Sequence, residues 1–200
     1  MFLRRLAKVT VVAASCLALL GLASCRSDPS VAAYVGDEQI TLDQVDSYYS
    51  KAAADSLTSS VVSQQPGQIK PMLVSMLVYI SLLKDAATQN HVTASAGQIA
   101  QAKEVVEPQR SSLTDARVLL PVDDLAELQT YSALMSEWAR AGNSTDDAAT
   151  QKYNSALKAS LKDNPVRVNP RYGKFDLNNV PTMPSADVAV APAASASAAP

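Results

Sequence analysis

The chain has 200 residues, 48% of them hydrophobic, with 17 Lys and Arg against 19 Asp and Glu and a formal net charge of −2. Phosphate neutralisation needs clustered basic side chains, so this balance excludes an ordinary nucleic-acid binder. With one histidine, and no free thiol left once the leader and Cys25 are processed, a zinc site of the usual ligand types is not expected, and no motif implies a cofactor.

The chain opens on Arg4, Arg5 and Lys8, followed by an apolar run from Val9 to Gly21. This is the charged and then apolar pattern of an export signal. The run is shorter than the ~18 apolar residues that an ordinary membrane-spanning helix needs. It closes on Leu22-Ala23-Ser24-Cys25, a small-residue stretch ending in cysteine. An uncleaved signal anchor or plain secretion are the competing readings. Four positions match the lipobox of bacterial lipoproteins, and that resemblance implies cleavage before Cys25 and lipidation of its sulfur. Residues 1–24 are then a lipoprotein signal peptide and 25–30 a lipidated cysteine with a short tether. Processing would remove Arg4, Arg5 and Lys8 and take the net charge from −2 to −5. It would also leave no cysteine for a disulfide, so the fold must rest on its apolar core. The expected location is the extracytoplasmic face of the cell membrane.

Val31–Val35 reads as a strand, Gly36-Asp37-Glu38 as a turn and Gln39-Ile40 as the return strand. Thr41, with Gln44 three residues on, has the spacing of a capping box. A helix follows with Leu42, Val45, Tyr49, Ala52 and Ala53 at helical spacing, fraying around Leu57 to Ser60. Pro66-Gly67 marks a turn before the strongest element, roughly Gln68 to Gln89. There Ile69, Met72, Leu73, Met76, Leu77, Ile80 and Leu83 form a stripe that Val74, Val78 and Leu82 widen nearly all round. Such a helix belongs at the centre of a domain, and the flanking Lys70 and Lys84 argue against a second membrane span.

Asn90 reads as a stop, and Thr93 as the cap of a shorter helix carrying Ile99, Ala102, Val105 and Val106 and ended by Pro108. Arg110 to Leu120 reads as partly helical. Pro121 opens a further helix with Leu125, Leu128, Ser132, Met135 and Trp138 facing inward, and Gly142-Asn143 stops it. Ser144 and Thr145 start a last helix with Ala149, Tyr153, Ala156, Leu157 and Leu161 inward. Asn164-Pro165 breaks it, and Val166–Val168 is a short strand expected to pair with the first, because an isolated hairpin is marginal in water. From about Asn178 the chain is Ala, Pro, Ser and Val with almost no charge, so residues 177–200 are expected to form a disordered tail. The fold class is mainly α: a five-helix orthogonal bundle over 31–176, with a small β element made of an N-terminal hairpin and a C-terminal strand.

Val35-Gly36-Asp37-Glu38-Gln39-Ile40-Thr41 followed by Leu42-Asp43-Gln44-Val45 resembles the opening of the SurA/PrsA-type extracytoplasmic chaperones. The long apolar second helix, His91-Val92-Thr93 before the third, and the closing strand also fit that order. The ending Val168-Asn169-Pro170-Arg171-Tyr172-Gly173-Lys174-Phe175-Asp176 resembles that of small actinobacterial lipoproteins built on this domain alone. The resemblance implies binding of unfolded or nascent exported proteins through apolar surface. No segment matches the parvulin isomerase module that such relatives usually carry, so isomerase activity does not transfer and no enzyme is expected. The other reading is a structural or assembly lipoprotein with one fixed envelope partner.

Tyr48, Tyr49, Tyr79 and Trp138 are the candidate client-binding residues, since aromatic rings give amphipathic contact area. Met72 and Met76 could join them as adaptable contacts, but both sit on the core stripe. Tyr48 and Tyr49 lie about 100° apart on a helix, so one should be exposed or line a groove edge. Asp123/Asp124 and Asp146/Asp147 fall in first helical turns, where carboxylates complement the dipole. His91 reads as a loop residue, and Asn143-Ser144-Thr145 as a helix start rather than a glycosylation site.

Overall fold

The computed structural model describes residues 28–142 and 145–178. The leader, Cys25, Asn143-Ser144 and the tail beyond Asn178 lie outside the described residues. The described residues are mainly α, with six helices and a three-stranded antiparallel sheet.

Strand β1 (Val31–Val35) turns at Gly36-Asp37 into β2 (Glu38–Thr41), pairing Val35 with Glu38 and Tyr34 with Gln39. Gly36 has φ +57° and lies against the Asn164 side chain, so the turn needs a residue without a Cβ. The closing strand β3 (Val166–Val168) pairs antiparallel with β1, so the sheet order is β2-β1-β3. The expected three-strand pairing is thus present.

Helix α1 (Leu42–Ala54) starts where the Thr41 hydroxyl accepts from the Gln44 N–H at 3.1 Å. Where the sequence suggested fraying, the chain forms a short helix, α2 (Ser59–Gln64). Thr58 makes this turn possible by burying its hydroxyl on the Ala52 carbonyl, 2.5 Å away. Helix α3 (Pro66–Gln89) takes Pro66 in its first turn, where a missing N–H costs nothing. Every residue of its apolar stripe is buried, as are Val74, Val78 and Leu82. Among the described residues it is the one helix long and apolar enough to cross a membrane. Its burial among the other elements identifies it as the core helix instead. His91, just beyond its C-cap, has φ +57°, the left-handed turn that ends the helix.

Helix α4 (Ala96–Gln109) begins two residues later than Thr93 implies: Ser95 and Gln98 form the reciprocal capping box. Pro108 lies inside the helix rather than beyond its end. Of its apolar positions only Val106 is buried, while Val105 is 49% exposed, so α4 packs more shallowly than expected. Two 3₁₀ turns follow, Arg110–Ser112 and Ala116–Leu119; the second buries Ala116, Val118 and Leu119. Helix α5 (Val122–Arg140) and helix α6 (Asp146–Asp163) complete the bundle. Thr145 caps α6 by accepting from Ala148. Ser160 of α6 donates its hydroxyl to the Leu82 carbonyl at 3.1 Å, and Ser81 donates to Glu38 at 2.5 Å. The core helix α3 is therefore tied by side chains to both α6 and the hairpin.

Candidate functional site

The four aromatic candidates are all partly buried against the core, and each has its own partner. Tyr48 and Tyr49 are both half-buried, so neither is left free as the helical angle suggested. The reason is that α1 is flanked on two sides. Tyr48 faces Asp124 in the first turn of α5, and burial together with that carboxylate pushes its hydroxyl up to about 12. Lys51 sits over its ring at 5.6 Å. Tyr49 faces the start of α3, with Lys70 over its ring at 5.2 Å and Lys70 held by Asp46 at 2.6 Å. Trp138 lies against α6, where Lys152 stands 4.2 Å over the indole and donates to the Trp138 carbonyl at 2.9 Å. A cation on the ring face and a hydrogen bond to the same residue fix this pair in place.

Tyr79 lines an open cleft. Its hydroxyl meets that of Tyr153 on α6 at 3.2 Å. Burial, reinforced by Tyr153, holds the Tyr79 hydroxyl well above the usual tyrosine range, so Tyr79 stays neutral. The pair stands between two adjoining clefts on the face shared by α3, α5 and α6. The larger, about 430 Å³, is floored by Met76, Tyr79 and Leu128 and rimmed by Ser132, Asp115 and Arg117. The smaller, about 240 Å³, runs on past Tyr153 to Ser136, Arg140 and Asp146. Ser132 and Ser136, four residues apart, place hydroxyls on one face of α5. The Ser136 hydroxyl is turned back onto the Ser132 carbonyl at 2.7 Å.

The rim charges of the larger cleft are already matched. Arg117 ion-pairs with Asp115, and this contact holds the Asp115 carboxyl below the usual carboxylate range. A mixed apolar floor with polar rims suits a side chain or a short peptide segment better than a small charged ligand.

Met72 and Met76 are buried on the core stripe, although Met76 also reaches the cleft floor. The acidic pairs occupy first helical turns, and each residue of the first pair is engaged: Asp123 by Lys103, Asp124 by Tyr48. Burial raises the Asp124 carboxyl above its ordinary value. Among the described residues no cluster of three His, Cys, Asp or Glu side chains could hold a metal ion. Tyr153, Ser132 and Ser136 belong to the clefts but carried no functional signal in the sequence, where Tyr153 reads only as an inward helical position.

No family model matches the chain, and no curated protein or solved structure matches it.

Proposed function

We propose that this chain is a lipoprotein tethered at Cys25 to the outer face of the cell membrane. Its helical domain is a binding module for one fixed envelope partner and performs no catalysis. The observation that carries this choice of partner is how few large apolar side chains stand exposed among the described residues. Among the described residues only Leu57 (45%) and Val105 (49%) are large hydrophobics left exposed. A general holder of unfolded chains needs a broad apolar patch, because the ordering cost of a flexible client offsets most of the contact energy. Two clefts of limited size, the larger with its rim charges paired, fit a single complementary surface instead.

The chaperone-like reading remains the second proposal, supported by the hairpin–helices–strand order and by the apolar floor at Met76, Tyr79 and Leu128. Binding would be reversible, ATP-free and without isomerase activity. Two measurements separate the proposals. A pull-down from solubilised membranes is expected to return one stoichiometric partner, and a heterogeneous set would favour the chaperone. Light scattering of an aggregating unfolded protein is expected to be unchanged by a molar excess of this chain; suppression would reverse the preference. For the anchor, Cys25→Ala is expected to release the protein from membranes while its fold is retained. Unaltered membrane fractionation would sink the lipoprotein reading.

A further inference from the structure

Among the described residues the outer edge of β3 has no hydrogen-bonding partner. Two bonds fix the phase of the β1–β3 ladder: Gly36 N–H to the Pro165 carbonyl at 3.3 Å and Asn169 N–H to the Ala32 carbonyl at 2.8 Å. With Tyr34 opposite Arg167, antiparallel alternation directs the Arg167 backbone groups at β1 and those of Val166 and Val168 away from it. Among the described residues nothing bonds to these outward N–H and C=O groups. Beside them lies a cleft of about 230 Å³ lined by Leu161, Val166, Val168 and Phe175. An open edge with apolar side chains is a template for one more strand.

The described chain ends at Asn178, three residues past Phe175, so 22 further residues start next to this edge. Within them Ser185–Ala191 is bounded by Pro184 and Pro192. It is the one proline-free run with two β-branched residues, Val188 and Val190, at the alternating spacing of a strand face. From Asn178 to Val188 the chain can span at most ~33–36 Å, ample for a return to β3.

We propose that the chain's own segment Asp187–Ala191 adds to β3 as a fourth strand, with Val188 and Val190 beside Val166 and Val168 over the Leu161–Phe175 cleft. The addition caps the sheet edge within one molecule. It requires neither the lipid anchor nor the binding role proposed above.

The test is amide hydrogen exchange at Val166 and Val168 in the full-length protein, compared with the Val188→Pro/Ala189→Pro variant. Proline at both positions removes the strand's donor in either register. Both amides are expected to exchange at least about ten-fold faster in the variant, independently of protein concentration, with the inward Arg167 amide unchanged. Equally fast exchange in both proteins overturns the proposal. Slow exchange in both means that a different segment covers the edge and overturns it too. Protection that fades on dilution assigns the edge to a second copy, which also overturns the intramolecular strand.

Discussion

Arg110 ion-pairs with Asp55, and its guanidinium also donates to the Val118 carbonyl at 2.8 Å. One side chain therefore joins the C-cap of α1, the 3₁₀ turn after α4 and the buried 3₁₀ segment before α5. Only 13% of the Arg110 side chain and 21% of that of Asp55 is exposed. Arg110→Ala is expected to cost about 2–3 kcal/mol in urea unfolding, below the ~3–5 of a fully buried pair because solvent still reaches this one. Arg110→Lys should recover little, since an ammonium cannot span both acceptors.

Acid stability should follow from Asp55 and Asp115. Asp55 is held below the ordinary carboxylate value of 3.8 by the Leu57 N–H and then by Arg110, and Asp115 by Arg117. Both bind a proton less readily folded than unfolded. The stability they add is present above pH 3.8 and is lost as pH falls through that value and below it. Thermal melts of Asp115→Asn should therefore fall below those of the parent at neutral pH and converge with them in strong acid.

Asp85 should show the opposite sign. Burial and then the nearby Glu38 raise its carboxyl above 3.8. The folded state takes up the proton more readily, so stability is lost as pH rises from 3.8 through the raised value. Asp85→Asn is expected to raise the melting temperature at neutral pH, with the gain gone below pH 3.8. A gain independent of pH would contradict this account.

Gly36→Ala is expected to destabilise the hairpin by at least about 2 kcal/mol. Its φ of +57° is unfavourable for alanine, and a Cβ would stand 2.6 Å from the Asn164 Oδ1. Asn164→Gly in the same chain should return only the steric share. Full recovery in denaturant unfolding would mean that backbone strain contributes nothing.

Tyr79→Phe and Tyr153→Phe are each expected to cost about 1 kcal/mol, because each leaves the other hydroxyl without its partner. The double variant should cost less than the sum of the two. If the clefts bind the proposed partner, the double variant should also weaken pull-down while the far-UV spectrum stays unchanged.

Elements with strong periodicity were legible. The stripe from Ile69 to Leu83 announced the core helix, and Val166–Val168 announced the third strand. The Ser95 cap was legible in principle, because Gln98 follows it at capping-box spacing, whereas Thr93 has no such partner. The 3₁₀ turns between Arg110 and Leu119 were not, since such short segments carry no period to detect. The clefts were hidden for another reason. Tyr79, Tyr153 and Ser132 come from three helices whose contact is set by tertiary packing, and no local pattern encodes that meeting. The aromatic candidates were plausible by residue type, but Lys51, Lys70, Lys152 and Tyr153 engage them one by one.

The β1–β3 pairing also has a mechanical meaning. The N-terminal end of β1 and the C-terminal end of β3 lie together, at the bond between Asn169 and Ala32. A pull on the N-terminal side enters at Val31, and a pull on the C-terminal side reaches Val168 once Tyr172, Phe175 and Leu177 have come away from the core. Tension between the two ends therefore loads the ladder as a zipper, one bond at a time from Asn169 inward, rather than in shear across all bonds together. The pairing that closes the sheet is thus opened bond by bond under force.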